Sequence, residues 1–351
     1  LVAGAFSSDP EKSRLSGEDF FLDPDRVYGS YQEMAEKEAA REDGIDFVTI
    51  VVQNHLHVPV ARTFLEAGFN VICDKPLSSN LDDAKELQQL VHSSGKVFCL
   101  THNYTGYPMV KEARRMVQDG ELGRLLKVVA EYPQGYAVGD VEGEGQGQIS
   151  NWRADPAIAG ASNCMGDIGT HAHNLVRYIC GLEVDELAAE LSAFIPGREL
   201  DDDGNCLVRF TDGVKGIIYA SQISNGDEND LNIRAYGTKA SIEWHQEDPN
   251  ELVVKYANAP RKTYRRGNDY VGEAASANSR TPFAHPEGFI EAFANIYLAA
   301  AGAIADQIEG NDPPAEGYDF PTVDDGVAGN AFIKACVESS GNNAAWTGLD
   351  L

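Results

Sequence analysis

The first third of the chain alternates short, β-prone apolar runs with segments of helical period, and this alternation constrains the fold more than any other feature. Leu1–Phe6 (LVAGAF), Phe47–Val52 (FVTIVV), Phe69–Cys73 (FNVIC) and Val97–Thr101 (VFCLT) are short, apolar and bounded by turn-forming residues. Between them, Tyr31–Glu42, His57–Ala67 and Leu81–His92 place apolar side chains on one helical face, most clearly at Leu81, Ala84, Leu87, Leu90 and Val91. Asn80 is suited to cap the last of these helices, and Gly68 and Gly95 stand just past the ends of two. Strands joined by helices in this way predict βαβ units, hence an α/β, doubly wound parallel sheet buried on both faces.

The pattern changes near Glu121. Val128–Tyr132, Val184–Ala193, Cys206–Phe210, Val214–Ser221, Asn232–Gly237 and Ala240–Trp244 read as strands, with Asp212-Gly213 and Gly237-Thr238-Lys239 as turns between neighbours. Hairpin-linked strands followed by helices over Gly288–Ile308 and Gly326–Glu338 predict an α+β unit with a mostly antiparallel open sheet. A length of 351 residues accommodates two domains, divided here as 1–122 and 123–351.

Charge excludes several classes of partner. Lys plus Arg number 28 against 55 Asp plus Glu, a formal net charge of −27, and such a surface repels nucleic acid and anionic membrane. No long uncharged apolar run implies a membrane-spanning helix. The six cysteines (Cys73, Cys99, Cys164, Cys180, Cys206 and Cys336) are scattered through apolar runs without a C-x-x-C pair. This fits reduced, buried thiols in a cytoplasmic protein, and neither a disulfide framework nor a zinc site.

In parallel sheets of this kind, ligands bind at the carboxyl ends of the strands. Read in order, those ends carry Ser7-Ser8-Asp9-Pro10, Gln53-Asn54-His55-Leu56-His57, Asp74-Lys75-Pro76 and His102-Asn103-Tyr104. The stretch IDFVTIVVQNHLHVPVARTFLEAGFNVICDKPL, residues 45–77, resembles the Gfo/Idh/MocA family of NAD(P)-dependent oxidoreductases. Asn54 and His57 stand in register with that family's T-P-N-x-x-H, and Asp74-Lys75-Pro76 replaces its Glu-Lys-Pro. Val52-Gln53 departs from the family's Thr-Pro. The likeness continues through Asn103-Tyr104 and Gly120-Glu121-Leu122-Gly123 into the second half. It implies a Rossmann-like N-terminal domain, and a C-terminal sheet whose exposed face makes a homo-oligomer, dimer or tetramer.

The family's first strand ends in a G-x-G-x-x-G loop whose backbone approaches the dinucleotide pyrophosphate. No such loop precedes Leu1, and LVAGAF resembles the second strand, so about 35–40 residues of an ordinary βα unit are expected ahead of it. The acidic tract Gly139–Gly147 is rejected as a substitute, and the chain taken alone is expected to hold a dinucleotide poorly. Ser7 and Ser8 occupy the ribose end of that second strand, tilting the choice of NAD or NADP slightly toward NADP.

Between the halves lies NWRADPAIAGASNCMGDIGTHAHNLVRYICG, residues 151–181. Met165, Ile168, Ala172, Leu175, Val176 and Ile179 recur at helical spacing, which sets Asp167 and His171 four apart on one helical face. The segment resembles the family's G-x-x-x-D-x-G-x-H at Asp167, Gly169 and His171. Asn163 stands where Gly is usual, and Asn174 where a trailing Asp is usual. Trp152-Arg153 matches a Trp-Arg pair of many members.

Carried over, the resemblance makes His171 the acid/base, Lys75 the cation that polarises the hydroxyl, and Asp167 their partner. A near-neutral imidazole suits proton transfer, and a lysine can stabilise developing alkoxide charge. Ser7, Ser8, Asn54, His57, Asp74, Lys75, Asn103, Trp152 and Arg153 become cofactor contacts. Lys75, Tyr104, Asp167, His171 and His285 become substrate contacts, and no metal is expected. His55 and His173 are expected beside the site or facing solvent, and Gly135–Gln148 as a surface loop or lid.

The implied activity is hydride transfer between NAD(P) and a hydroxyl carbon of a sugar, polyol or related compound. An NAD-dependent glycoside hydrolase of the same fold and a non-catalytic sugar or dinucleotide sensor are the alternatives.

Overall fold

The computed structural model describes residues 1–138, 152, 155–315 and 317–351. Arg153 and most of the loop expected over Gly135–Gln148 lie outside the described residues.

The chain opens with helices α1 (Pro10–Asp19) and α2 (Tyr31–Ala39). Asp9 caps α1 by accepting from the Glu11 and Lys12 amides, and Ser30 caps α2 through the Glu33 amide. Strand β1 (Phe47–Ile50), helix α3 (Asn54–Glu66), β2 (Asn70–Cys73), α4 (Leu81–Ser94) and β3 (Phe98–Leu100) follow as two βαβ units. Among the described residues they form a three-stranded parallel sheet in the order β1-β2-β3. Asn80 caps α4 as expected, and Gly95 ends it in the left-handed conformation.

All four residues of β2 are buried, as befits a strand covered on both faces. Val71 and Cys73 face a core shared with α3 and α4, whereas Ile72 and Cys99 meet Ile296 and Ala300 on the other side.

The strand expected over Leu1–Phe6 is not formed. Gly4 makes a single parallel bridge with Val27, through Gly4 N to the Arg26 carbonyl at 3.0 Å and Tyr28 N to the Gly4 carbonyl at 2.8 Å. One bridge cannot propagate a ladder, and Leu1 and Val2 stay exposed. The neighbourhood is held instead by Arg26, which is buried with its guanidinium on Glu38, a carboxylate that also accepts from the Tyr28 hydroxyl at 2.6 Å.

Helix α5 (Pro108–Gln118) leads into β4 (Leu125–Pro133), a short α6 (Pro156–Ala159), a π-helical turn at Met165–Gly169 and α7 (Thr170–Cys180). Then come β5 (Val184–Ser192), β6 (Asp203–Phe210), β7 (Lys215–Ser221), β8 (Asn232–Gly237) and β9 (Ala240–His245). The last strands of this run, β10 (Glu251–Tyr256) and β11 (Ala259–Arg265), were not foreseen from the sequence. Every side chain of β11 but one is exposed, so no apolar alternation marks it.

With β12 (Thr347–Gly348), the described strands form a nine-stranded sheet in the order β11-β10-β9-β8-β4-β7-β6-β5-β12. Only β4 and β7 pair in parallel among its named pairs; the rest are antiparallel. The β6–β7 turn has Asp212 at φ 59° and Gly213 at φ 76°, the two positive φ values that a tight Asp-Gly hairpin requires.

Helix α8 (Glu273–Ala277) precedes two long helices, α9 (Phe289–Glu309) and α10 (Val323–Gly341). By length and composition alone, α9 is apolar enough to cross a membrane, but its Ile296 and Ala300 are buried against β2 and β3. Helix α10 joins both cores: Val323, Val327 and Ala331 pack with α4, and Phe332, Ala335 and Cys336 pack with the large sheet.

Gly106 fixes how the turn after β3 meets α9. A Cβ there would lie 2.2 Å from the Ala292 carbonyl oxygen, and the Gly106 carbonyl accepts from Asn295 Nδ2 at 2.9 Å. Gly106→Ala is expected to cost about 1–3 kcal/mol of stability by forcing the two backbones apart, read as a lowered denaturation midpoint. An unchanged midpoint would mean that α9 yields freely.

Candidate active site

The carboxyl ends of β1, β2 and β3 open into a cleft of about 320 Å³. Val51, Val52, Asn54, Asp74, Lys75, Thr101, Asn103 and Tyr104 line it from the parallel sheet. Ser162, Asn163, Asp167 and His171 line it from the second half, with Trp152, Ala159, Phe289 and Phe293 around the rim. Lys75 and the Asp167–His171 segment, 92 residues apart in sequence, therefore face one another.

Lys75 Nζ donates to Asp167 Oδ1 at 2.8 Å and to the Asp167 main-chain carbonyl at 2.5 Å. Both side chains are largely enclosed, at 17% and 25% exposure, so the pair is shielded yet reachable from the cleft. The expectation of one continuous α-helix through Asp167 and His171 is corrected here. Residues Met165–Gly169 form a π-helical turn before α7, and this wider turn presents the Asp167 carbonyl, along with its carboxylate, to Lys75.

The turn is anchored from below by Asp201. Its carboxylate accepts from the Asn163 amide at 2.9 Å, the Met165 amide at 3.0 Å and Ser162 Oγ at 3.0 Å. Burial pushes the Asp201 carboxyl pKa up, against the lowering effect of those donors. Gln222, just past β7, accepts from Asn163 Nδ2 at 2.7 Å and donates to Asp167 Oδ2 at 3.3 Å. Both oxygens of Asp167 are thus engaged, and its orientation is set.

His171 is buried among aromatic walls. Its ring meets Tyr104 edge-on at 4.7 Å, Tyr132 at 6.2 Å and His102 at 5.3 Å between centroids. Its Nδ1 lies 3.4 Å from His102 Nδ1. Burial, then the charge of Lys75 and the neighbouring His102, push the His171 pKa well below the usual imidazole range. The ring is therefore neutral at neutral pH, and Nε2, without a hydrogen-bond partner among the described residues, is left for a ligand in the cleft. The hydroxyls of Tyr104 and Tyr132 hydrogen-bond each other, and Tyr132 donates to Asn229 Oδ1 at 2.8 Å.

The other residues singled out in the sequence fall into two groups. Asn54, Asp74, Asn103, Tyr104 and Trp152 all line the cleft. Asn54 Nδ2 donates to the Ala159 carbonyl at 3.0 Å, Asp74 accepts from Thr101 Oγ1 at 2.6 Å, and Asn103 Nδ2 is buried without a partner among the described residues.

His57, by contrast, is an internal strut. Its ring nitrogens lie 2.7 Å from the Pro76 carbonyl and 3.1 Å from that of Val52, which leaves neither for a cofactor. Ser7 and Ser8 precede α1 and are not among the cleft residues; Ser7 Oγ accepts from the Asp9 amide at 3.1 Å. His285 is exposed, outside the cleft lining, with Nδ1 3.1 Å from the Phe283 carbonyl. His173 does not face solvent: it is buried, stacked on Phe332 at 4.5 Å.

Residues that sequence reasoning missed include Asn163 and Gln222, which connect to Asp167, and Phe289 and Phe293 at the rim. His102 was visible at the end of β3, but its partnership with His171 depends on the tertiary fold.

A fit for a dinucleotide can be tested on these groups. The unpartnered Asn103 amide, Lys75 and the open Nε2 of a neutral histidine suit the reacting, nicotinamide end. The described residues contain no glycine-rich turn between a strand and a helix for the pyrophosphate. No cluster of potential metal ligands occurs among them either.

Residues 1–102 match the oxidoreductase family with an NAD-binding Rossmann fold, and residues 110–243 match the GFO/IDH/MocA C-terminal domain. An uncharacterized oxidoreductase of Bacillus subtilis, YfiI, is 34% identical over 348 residues, covering 99% of this chain and 88% of that protein. The levoglucosan dehydrogenase of Pseudarthrobacter phenanthrenivorans is 26% identical over 330 residues, covering 84% of this chain and 80% of that one. The crystal structure of an inositol dehydrogenase homolog from Azotobacter vinelandii, complexed with NAD+, superposes with a TM-score of 0.95. It is 33% identical and covers 99% of this chain and 90% of that one. A Rossmann-like parallel sheet joined to a large mixed sheet, matched along nearly its whole length, makes this chain a member of the GFO/IDH/MocA oxidoreductase family.

Proposed function

We propose that the protein interconverts a secondary hydroxyl and a ketone on a cyclic polyol or sugar, using NAD or NADP. The observation that carries this reading is the joining of Lys75, Asp167 and neutral His171 in one cleft at the strand ends.

When bound, the nicotinamide would supply or accept the hydride, and Asn54 and Asn103, which line the cleft with Lys75, would hold that end. Lys75 hydrogen-bonds the substrate oxygen and stabilises its alkoxide character. His171 Nε2 takes the hydroxyl proton in oxidation and returns it in reduction. Asp167, with both oxygens engaged, keeps Lys75 aimed. Tyr104, Phe289, Phe293 and Trp152 offer apolar faces to the C–H faces of a ring, while Asn163 and Asp167 offer polar atoms to its hydroxyls. The inositol and levoglucosan specificities named for the relatives support a cyclic polyhydroxy substrate.

The test is a panel of cyclitols, anhydrosugars and aldoses with each cofactor, run on the full-length protein and followed by the absorbance of reduced nicotinamide. Turnover of ring alcohols is expected, and its absence with every ring alcohol and both cofactors would sink the proposal. The same panel decides between NAD and NADP.

Self-association through the large sheet belongs to the same proposal, because Leu126, Leu207 and Tyr236 are exposed on β4, β6 and β8. A cytoplasmic location fits the six free, buried cysteines.

A further inference from the structure

His102 is buried against His171, and no ligand chemistry has so far required it. Their Nδ1 atoms lie 3.4 Å apart with the rings nearly perpendicular, at 86°. A neutral imidazole carries one N–H, so an Nδ1 to Nδ1 hydrogen bond requires one ring protonated at Nδ1 and the other bare there. The two rings must be opposite tautomers. If both carried hydrogen on Nε2, two lone pairs would face each other in a dry site.

We propose that His102 is the positioning partner of His171: it selects the His171 tautomer and receives the Nδ1 proton when Nε2 takes the proton of the substrate. The inference rests on the acid/base role proposed above for His171.

With His171 protonated at Nδ1 and donating to His102, its Nε2 is bare and ready to act as a base. The substrate O–H bond then breaks and an Nε2–H bond forms on His171. The Nδ1–H of His171 breaks as an Nδ1–H of His102 forms, and the Nε2 proton of His102 leaves to solvent. One proton enters and one departs, so both rings end neutral and His171 is left with hydrogen on Nε2, ready to act as the acid in reduction.

The surroundings favour a neutral end state. Burial, reinforced by Lys75 and Arg177, outweighs the Asp325 carboxylate and lowers the His102 pKa to about 3. A lasting imidazolium on either ring would therefore be costly. The charged and titratable groups around the pair come from every neighbouring element: Lys75 after β2, Asp167 on the π-helical turn, His173 and Arg177 on α7, Tyr104 after β3, Tyr132 on β4 and Asp325 on α10. Asp325 and Arg177, whose charges act on His102, also line a second cavity of about 420 Å³.

Two measurements test this. In nitrogen-15 histidine NMR of the intact wild-type protein, His102 and His171 are expected as opposite tautomers at neutral pH. Finding both with hydrogen on Nε2 overturns the proposal. Because this measurement involves no turnover, it stands apart from any failure of the proposed reaction.

In kinetics, His102→Phe keeps a flat ring but removes both nitrogens. It is expected to lower kcat about 10–100-fold with KM changed little, and exogenous imidazole should restore part of kcat in His102→Gly. Wild-type kcat in a folded His102→Phe protein refutes the relay. Should that variant not fold, the wild-type tautomers still decide.

Discussion

Replacing His171 with alanine is expected to lower kcat by about 10²–10⁴-fold, the range over which a positioned acid/base contributes. KM should change far less, because the ring engages the substrate through a single nitrogen while Tyr104, Phe289 and Phe293 shape the cleft. Lys75→Ala should produce a loss of the same order. It removes the cation from the reacting oxygen and also leaves the Asp167 carboxylate and carbonyl without their 2.8 Å and 2.5 Å partner. The double variant should be little worse than the poorer single one, since residues acting as a unit are not additive. Steady-state kinetics with the best substrate of the panel reads all three, and a folded variant with wild-type turnover would remove its residue from the mechanism. The pH profile adds a sign. Oxidation needs neutral His171, and its lowered pKa keeps it neutral below the ordinary imidazole range, so the acid limb of kcat/KM for oxidation should fall below pH 6.5, the ordinary imidazole value.

Much of this site was legible in the sequence because its parts are punctuated locally. Lys75 directly follows a β-prone run and precedes Pro76, which marks a strand end. Asp167 and His171 stand four residues apart on an apolar-periodic segment. The strand end and the period mark these positions locally, and the family resemblance supplied their roles. What was not legible depends on contacts between elements. Gln222 follows β7 with nothing nearby to suggest that it would donate to Asp167, 55 residues earlier. The π-helical turn could not be read from periodicity, because one wider turn shifts the pattern too little to register. His57 shows the converse error: a histidine at a strand end was read as facing a ligand, while the fold turned its ring inward onto two backbone carbonyls. Strand β11 escaped because, exposed on nearly every side chain, it carries no apolar signal.

Acid should destabilise the protein well before its carboxylates titrate, because several histidines are buried as neutral rings. His57, His102, His171 and His173 all have pKa values lowered primarily by burial. In the unfolded chain each returns to about 6.5. Between the folded and unfolded values the unfolded state binds more protons, so stability is fully present above pH 6.5 and is lost as pH falls toward the folded pKa. For His102 alone, with a folded value of about 3, lowering the pH from 8 to 5 should remove on the order of 2 kcal/mol. His57, His171 and His173 act in the same direction. His245 acts in the opposite sense: burial opposes its charge, but Asp230 and Glu243 raise its pKa, so its contribution favours the folded state at lower pH. It is half-exposed, and that contribution is correspondingly small. The melting temperature should therefore fall substantially between pH 8 and pH 5, and a flat profile would contradict buried neutral rings. His173 isolates the cause without touching the cleft. It stacks on Phe332 at 4.5 Å, and neither ring nitrogen has a hydrogen-bond partner among the described residues. His173→Phe keeps the stack and removes the titration. It should narrow the gap between the two melting temperatures while preserving activity, because what is lost in acid is the protonation of a ring that packs as an aromatic.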